Sequence, residues 1–296
     1  MSTFDELTDG TLLHLSGFTT LQEMATWCTG VVGLGDTLIN VADVSAISRG
    51  VIEIGDELIW VDTVDTTSNA VTVPPYGRGY RSSVAAVHAL GSRVGVPVYP
   101  RYLVKRAINE TIQSLYPDLF GVGTTTFTYV VGTYSYSLPF DAETVLAVQW
   151  QDLNTPNEWN NVRRYDVNGH SDTTSFATGN SITLWDNIVP GRTVRVVYAK
   201  QPSVLVNPTD DFATVTGLPA SCEDLVRLGA AVKIIPFLEV PHITGQSAEA
   251  DFNSANRQIG SAAQTSKWLL QNYQLRLQQE SIRLNSLFPV RVRYTN

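Results

Sequence analysis

The side chains of this sequence whose chemistry goes beyond solvation are few and scattered. His14, His88, His170 and His242 sit in unrelated contexts. None has a second ligand at the short spacing that brings two donors to one ion. Cys28 and Cys222 are too few for a disulfide framework and read as two buried free thiols. The chain has no Gly-x-Ser-x-Gly nucleophile elbow and no Gly-rich phosphate loop ending in Lys-Ser or Lys-Thr. Gly30-Val-Val-Gly-Leu-Gly35 has its glycines in the wrong order for a dinucleotide fingerprint and reads as a loop between strands. Asp141/Glu143 and Asp210/Asp211 are the kind of carboxylate pair a glycan hydrolase uses. Nothing in the pattern sets either pair across a cleft, and acids near turns and helix starts serve solvation and capping. Asn109-Glu-Thr111 matches a glycosylation acceptor but falls inside a predicted helix. The expectation is a protein with no catalytic, cofactor-binding or metal-binding residues.

Two aromatic groups remain. Tyr76-Gly-Arg-Gly-Tyr-Arg81 sets arginines beside rings, as in surfaces that stack on nucleic acid or carbohydrate. The same residues also suit a turn whose arginines meet another subunit or lie over apolar surface. A formal net charge of −8 favours the second reading, because a dedicated nucleic-acid binder carries a basic face. Tyr76, Arg78, Tyr80 and Arg81 are therefore candidate subunit-contact residues. Trp150, Trp159 and Trp185 fall in or beside strand-like segments and read as core and sheet packing.

The elements around these residues follow from periodicity. Residues 1–20 read as a polar lead-in, an arm. Residues 21–97 read as short strands and turns. Val51 to Val61 is rich in strand formers, Asp65-Thr-Thr-Ser-Asn69 is a turn signal, and Val71-Thr-Val73 returns as the next strand. Ser82 to Leu90 reads as a short helical turn closed by Gly91. Pro97 and Pro100 mark a boundary. Helical spacing over 99–120 puts Leu103, Ala107, Ile108, Ile112 and Leu115 on one face. Residues 124–204 are again strand-like, with segments 127–131, 134–138, 145–150, 181–185 and 193–198 separated by turns. Helices follow over 219–287. The first opens at Ser221, with Asp224 completing a capping pattern. The last runs from about Ser247 to Leu287 with a thin stripe through Phe252, Ile259, Ala263, Leu270, Tyr273, Leu277 and Leu284.

The expected fold class is α+β. A helical bundle carries an inserted antiparallel β-domain, preceded by a small β-rich domain and closed by a long helix with a strand-like tail. The expected domains are 1–97 and a second over 98–296, with helix 99–120, β-domain 124–204, helices 219–287 and tail 288–296. Pro289 stops the last helix, and Val290-Arg-Val-Arg-Tyr294 alternates apolar and basic side chains with a period of two. A strand needs partners for its backbone groups, from this subunit or from another chain, and this tail reads as a docking element. Phe288, Val290, Arg291, Val292, Arg293 and Tyr294 are its candidate docking residues. Charged residues make up 16% and hydrophobic residues 43% of the 296, a mix that suits β-rich assembly proteins and not a disordered chain. No apolar run reaches membrane-spanning length, and the first residues lack the basic-then-apolar pattern of a secretion signal. A protein made in a cytoplasm that stays soluble or joins an assembly is expected.

Two stretches carry a resemblance. The first is Glu57-Leu-Ile-Trp-Val61 followed by Tyr76 to Val94, which looks like a β-module of tailed-bacteriophage structural proteins. The second joins Arg101 to Asn109 and Leu115-Tyr-Pro-Asp-Leu-Phe120 with Tyr198-Ala-Lys-Gln-Pro202 and Leu218 to Ala231. It resembles the head-to-tail connector, or adaptor, proteins of tailed phages, of the tail tubular protein A type. The resemblance implies a virion neck component. It implies a homo-oligomeric ring, usually of twelve, beneath the portal protein and above a downstream tail or stopper protein. Genomic DNA would pass through such a ring without sequence-specific binding. A stopper, terminator or baseplate subunit, a host-surface binding protein and a virion-associated glycan hydrolase are the competing readings.

Overall fold

The computed structural model describes residues 2–17, 23–152, 158–235 and 261–288. The fold is mixed α+β with antiparallel sheets, several helices and a long C-terminal helix, as the sequence predicts. The chain forms two compact units. One comprises Met1–Phe4, Thr111–Leu225 and Asn272–Asn296, and the other Asp5–Glu110 and Val226–Gln271.

In the second of these units, helix α1 covers Phe4–Ser16 but for its first residue. The polar lead-in expected at residues 1–20 is therefore largely a helix. Its inward positions follow helical spacing, but two are threonines: Leu7, Thr8, Thr11 and Leu15 are all buried. Thr11 Oγ1 donates to the Leu7 carbonyl at 2.8 Å, which satisfies its hydroxyl inside the helix. Asp5 and Glu6 in the first turn complement the helix dipole.

Seven short strands follow: β1 Met24–Trp27, β2 Leu38–Asn40, β3 Gly50–Ile54, β4 Glu57–Val61, β5 Thr63–Asp65, β6 Ala70–Thr72 and β7 Arg93–Val96. They make two antiparallel sheets, ordered β1-β7-β3-β4 and β2-β6-β5. The Val51–Val61 run folds into a hairpin of its own. Its two-residue turn begins at Gly55 with φ +63°, the left-handed position that tight hairpins reserve for glycine. The Asp65–Asn69 turn links β5 to β6, with the Asp65 carboxylate accepting from Thr67 N and Ser68 Oγ. One core of Cys28, Val32, Ile39, Ile52, Ile54, Ile59, Val71 and Val94, among others, lies beneath both sheets. Residues 82–90 are not helical as expected. A single 3-10 turn at Tyr80–Ser82 leads into extended chain that pairs His88 with Val32.

The expected helix over 99–120 is α2, Arg101–Ser114. The Glu53 carboxylate accepts from Arg101 N at 2.7 Å, so an acid from β3 fixes where the helix starts.

In the other unit, strands β8 Gly121–Thr128, β10 Thr144–Gln151, β11 Trp159–Asn161 and β14 Thr193–Lys200 form a sheet ordered β11-β10-β14-β8. Strands β9 Ser135–Ser137, β12 Tyr165–Asn168 and β13 Ser181–Leu184 form a second, ordered β12-β13-β9. Val148, Val194 and Val196 of the first sheet share a core with Ile182 and Leu184 of the second. Strand β8 starts earlier than the sequence predicts because Gly121 and Gly123 let it continue. A Cβ at Gly123 would lie 2.5 Å from the Tyr198 ring of β14.

Helix α3, Phe212–Thr216, was not legible in the sequence. Asp211 caps it by accepting from Thr214 N at 2.9 Å, and Gly217 ends it at φ +73°. Helix α4 is Glu223–Ile234 and helix α5 is Ser261–Leu287. The expected Ser221 cap is not made. Ser221 Oγ instead donates to the Glu280 carboxylate of α5 at 2.9 Å. Arg276 of α5 pairs with Asp224 at 2.7 Å, and Arg283 with Glu280 at 2.9 Å. Cys28 and Cys222 are both buried, free thiols. Residues 247–260, where the sequence predicts the start of the last helix, lie outside the described residues.

Candidate interaction surface

A buried polar constellation in the unit containing β1–β7 is built on Glu57. This residue opens β4, and its side chain has 0% exposure. One carboxylate oxygen accepts from Arg78 Nε at 2.7 Å and Gly79 N at 3.0 Å. The other accepts from Arg78 Nη2 at 2.9 Å, Ala86 N at 3.0 Å and His88 Nε2 at 2.7 Å. An ionised carboxylate is an acceptor only, so the histidine proton facing it is on Nε2. Burial alone would push the Glu57 carboxyl up. The bonds from Arg78, Ala86, Gly79 and His88 outweigh it and bring the pKa down to about 2. Arg78 also donates to the carbonyls of Gly33 and Ala86. One buried acid thus ties residues 78, 79, 86 and 88 to the head of β4.

The backbone around this ion pair is tightly set. Gly77 lies so close to β4 that a Cβ there would be 2.7 Å from the Trp60 carbonyl and 2.6 Å from Val73 Cγ1. Gly79, Arg81 and Ser82 all have positive φ. Ser83 Oγ takes a bond from Leu58 N at 3.0 Å and gives one to the Tyr80 carbonyl at 3.0 Å.

A loop held this firmly presents its remaining side chains outward. Val84, Val87 and Leu90 are 80%, 60% and 66% exposed. Val31 and Leu34, on the segment that pairs with His88, are exposed as well. Scattered exposed apolar residues are ordinary, but several on one pinned loop and its neighbouring segment make a candidate interaction surface.

The candidate subunit-contact residues divide here. Tyr76 and Arg81 are exposed, with the Arg81 guanidinium 5.4 Å from the centre of the Tyr80 ring. Tyr80 is half-buried against Trp60, ring centres 5.3 Å apart. Arg78 is turned inward to Glu57. Of the candidate docking residues, Phe288 is half-buried with its ring 6.3 Å from Phe120. Val290, Arg291, Val292, Arg293 and Tyr294 lie outside the described residues.

Of the carboxylates in the two acid pairs, Asp141, Asp210 and Asp211 have local partners. Asp210 accepts from Val206 N and Asn207 N, both at 2.8 Å, and Asp211 caps α3. These bonds hold both carboxyls below the usual range. Asp141 accepts from the Tyr198 hydroxyl at 3.3 Å. Among the described residues no cluster of His, Cys, Asp and Glu is arranged to hold a metal ion. Trp150 packs against the core of its unit and Trp159 lies 4.1 Å beneath the Arg195 guanidinium. Trp185 departs from the expected packing role: it is exposed and stacks on Tyr134 with ring centres 6.5 Å apart.

Glu57 was missed by sequence reasoning. Asp56 beside it and Glu53 four residues before it are acids of the same stretch, so nothing in the sequence singled it out.

Residues 80–276 match the SU10 adaptor protein family. The chain belongs to that family. It is a phage adaptor, a structural protein of the virion neck. The match to the SU10 adaptor family takes in the Val84–Leu90 stretch, α2, the two-sheet unit, α4 and most of α5. Glu57 and Arg78 precede it. None of the curated proteins matches the chain. Among the described residues no helix is long and apolar enough to cross a membrane.

Proposed function

We propose that this adaptor, similar to the tail tubular protein A type, forms a ring that joins the portal protein to a downstream tail or stopper protein. The ring, of twelve copies, encloses part of the channel through which genomic DNA passes. The observation that carries the assembly reading is the Glu57-pinned loop. A fully buried ion pair fixes a backbone that exposes Val84, Val87 and Leu90 beside Tyr76, Tyr80 and Arg81. In this reading those side chains meet the neighbouring subunit, and Arg78 acts by holding the loop. Residues 1–97 act as a β-rich extension and 98–296 as the adaptor core. Phe288 and the alternating Val290–Tyr294 tail dock on the portal by adding a strand, with Arg291 and Arg293 facing acidic groups. A net charge of −8 per copy supports a channel that repels the DNA backbone and lets it slide.

Mass photometry of the purified protein, alone and mixed with the portal protein of the same phage, tests the reading. A portal complex of fixed, ring-like stoichiometry is expected. A chain ending at Leu287 is expected to stay folded and to lose portal binding, whereas undiminished binding by that truncation removes the docking role of the tail. Val84→Asp with Val87→Asp is expected to reduce copies per portal while leaving the circular dichroism spectrum unchanged.

A further inference from the structure

Helix α5 carries a second apolar stripe, distinct from the face that packs. Leu269, Glu280 and Leu284 are buried, and its cations Arg276 and Arg283 pair with Asp224 and Glu280. On the opposite side Trp268, Leu275 and Ile282 are 59%, 56% and 71% exposed. They recur at an interval of seven, which over fourteen residues of helix makes a seam about 21 Å long. Three positions after each of them stand Gln271, Gln278 and Asn285, also exposed and also at sevens. The seam thus alternates apolar and amide side chains. Lys267 stands at its N-terminal edge, and no acid lies along it.

A seven-residue repeat keeps register only with another helix, because both must wind around each other to stay in contact. The choice of partner follows from charge and from the order of side chains. The chain carries a net charge of −8, so two copies repel overall, whereas this seam adds no acid-to-acid repulsion. In a parallel, in-register pair each layer meets its own kind. Trp268 faces Trp268, Leu275 faces Leu275, and the amides of Gln271, Gln278 and Asn285 bond to the same amides across the seam. An antiparallel pair sets apolar positions against amides and leaves the amides without partners, which costs free energy once water is excluded.

We propose that the free protein self-associates through α5, as a parallel, in-register pair of helices from two copies joined along Trp268, Leu275 and Ile282. The surface is self-complementary, as a two-fold contact requires. The inference stands apart from the portal reading, because it concerns the protein before any portal is present.

The full-length chain is the material for the test. Gln278→Cys under mild oxidation is expected to give a covalent dimer on a non-reducing gel. The native cysteines are buried and do not compete. Thr124→Cys, exposed on β8, serves as the collision control and is expected to give none. Sedimentation of the unmodified protein at micromolar concentration is expected to show a dimer, and Leu275→Glu with Ile282→Glu to weaken it by about tenfold or more with the fold retained. A monomeric unmodified protein overturns the proposal. So does cross-linking of Thr124→Cys as fast as Gln278→Cys, or an oligomer that the double glutamate variant leaves unchanged. Loss of portal binding with an intact dimer would count against the portal reading alone.

Discussion

At the scale of single residues, two glutamates four positions apart behave in opposite ways, and the difference is in their partners. Glu57 has five donors and is held ionised, with its pKa at about 2. Glu53 is buried with one backbone donor, Arg101 N. Burial dominates, the Arg101 bond and charge only partly offset it, Asp56 and Glu23 add repulsion, and its pKa rises to about 7. The unfolded chain has both near 4.5. Folding therefore favours the ionised form of Glu57. That stabilisation is complete above pH 4.5 and is lost as the pH falls toward 2. Folding favours the protonated form of Glu53. That stabilisation is complete below pH 4.5 and is lost as the pH rises through 7. Melting temperature across this range is expected to peak near the shared unfolded value. Glu53→Gln is expected to flatten the limb between pH 4.5 and 7 and to leave the acid limb in place. Arg78→Ala leaves the Glu57 carboxylate buried without its cation, and a loss of about 3–5 kcal/mol in denaturant unfolding is expected. Neither role was legible in the sequence. Glu53 and Glu57 look alike as acids in a strand-rich stretch, and only the return of residues 78–88 onto β4 tells them apart.

At the scale of elements, legibility depended on how long a run repeats one period. Strands β10 and β14 run for eight residues rich in strand formers and were found to within a residue or two. The α2 face of Ala107, Ile108 and Ile112 was found because it repeats over several turns. Helix α1 was missed because threonines stand at two of its inward positions, and α3 because five residues are too few to show a period. The 82–90 segment was misread because Val84, Ala85, Ala86, Ala89 and Leu90 are compatible with a helix, while Glu57, far away in sequence, binds its backbone in an extended path. Close approach governs the loop before it. Gly77→Ala forces a methyl onto the Trp60 carbonyl and Val73, and it is expected to cost about 1–3 kcal/mol in thermal unfolding. Asp211→Ala removes the single side-chain cap of α3, and about 1 kcal/mol is expected. A larger loss of fold with Asp211→Ala would show that Asp211 does more than cap its helix.

At the scale of the whole molecule, charge and apolar surface act against each other. Each copy carries −8, so gathering copies around a channel raises like-charge repulsion, while the surface at Val84, Val87 and Leu90 is uncharged. Salt weakens the first and leaves the second in place, because screening shortens from about 30 Å at 0.01 M to about 10 Å at 0.1 M ionic strength. Assembly with itself and with the portal is therefore expected to strengthen as salt rises over that range, read as copies per complex by mass photometry. A protein held together by ion pairs between subunits gives the reverse trend, as does one that binds DNA through its phosphates, whose affinity falls steeply with salt. The one element in the tail with positive charge is the Val290–Tyr294 stretch, through Arg291 and Arg293. If that tail meets acidic portal groups, its contribution alone weakens with salt. The chain ending at Leu287 is then expected to differ most from the full chain at low ionic strength. An equal deficit at all salt concentrations would mean that the tail binds through its backbone strand and Val290, Val292 and Tyr294, and that the two arginines are dispensable.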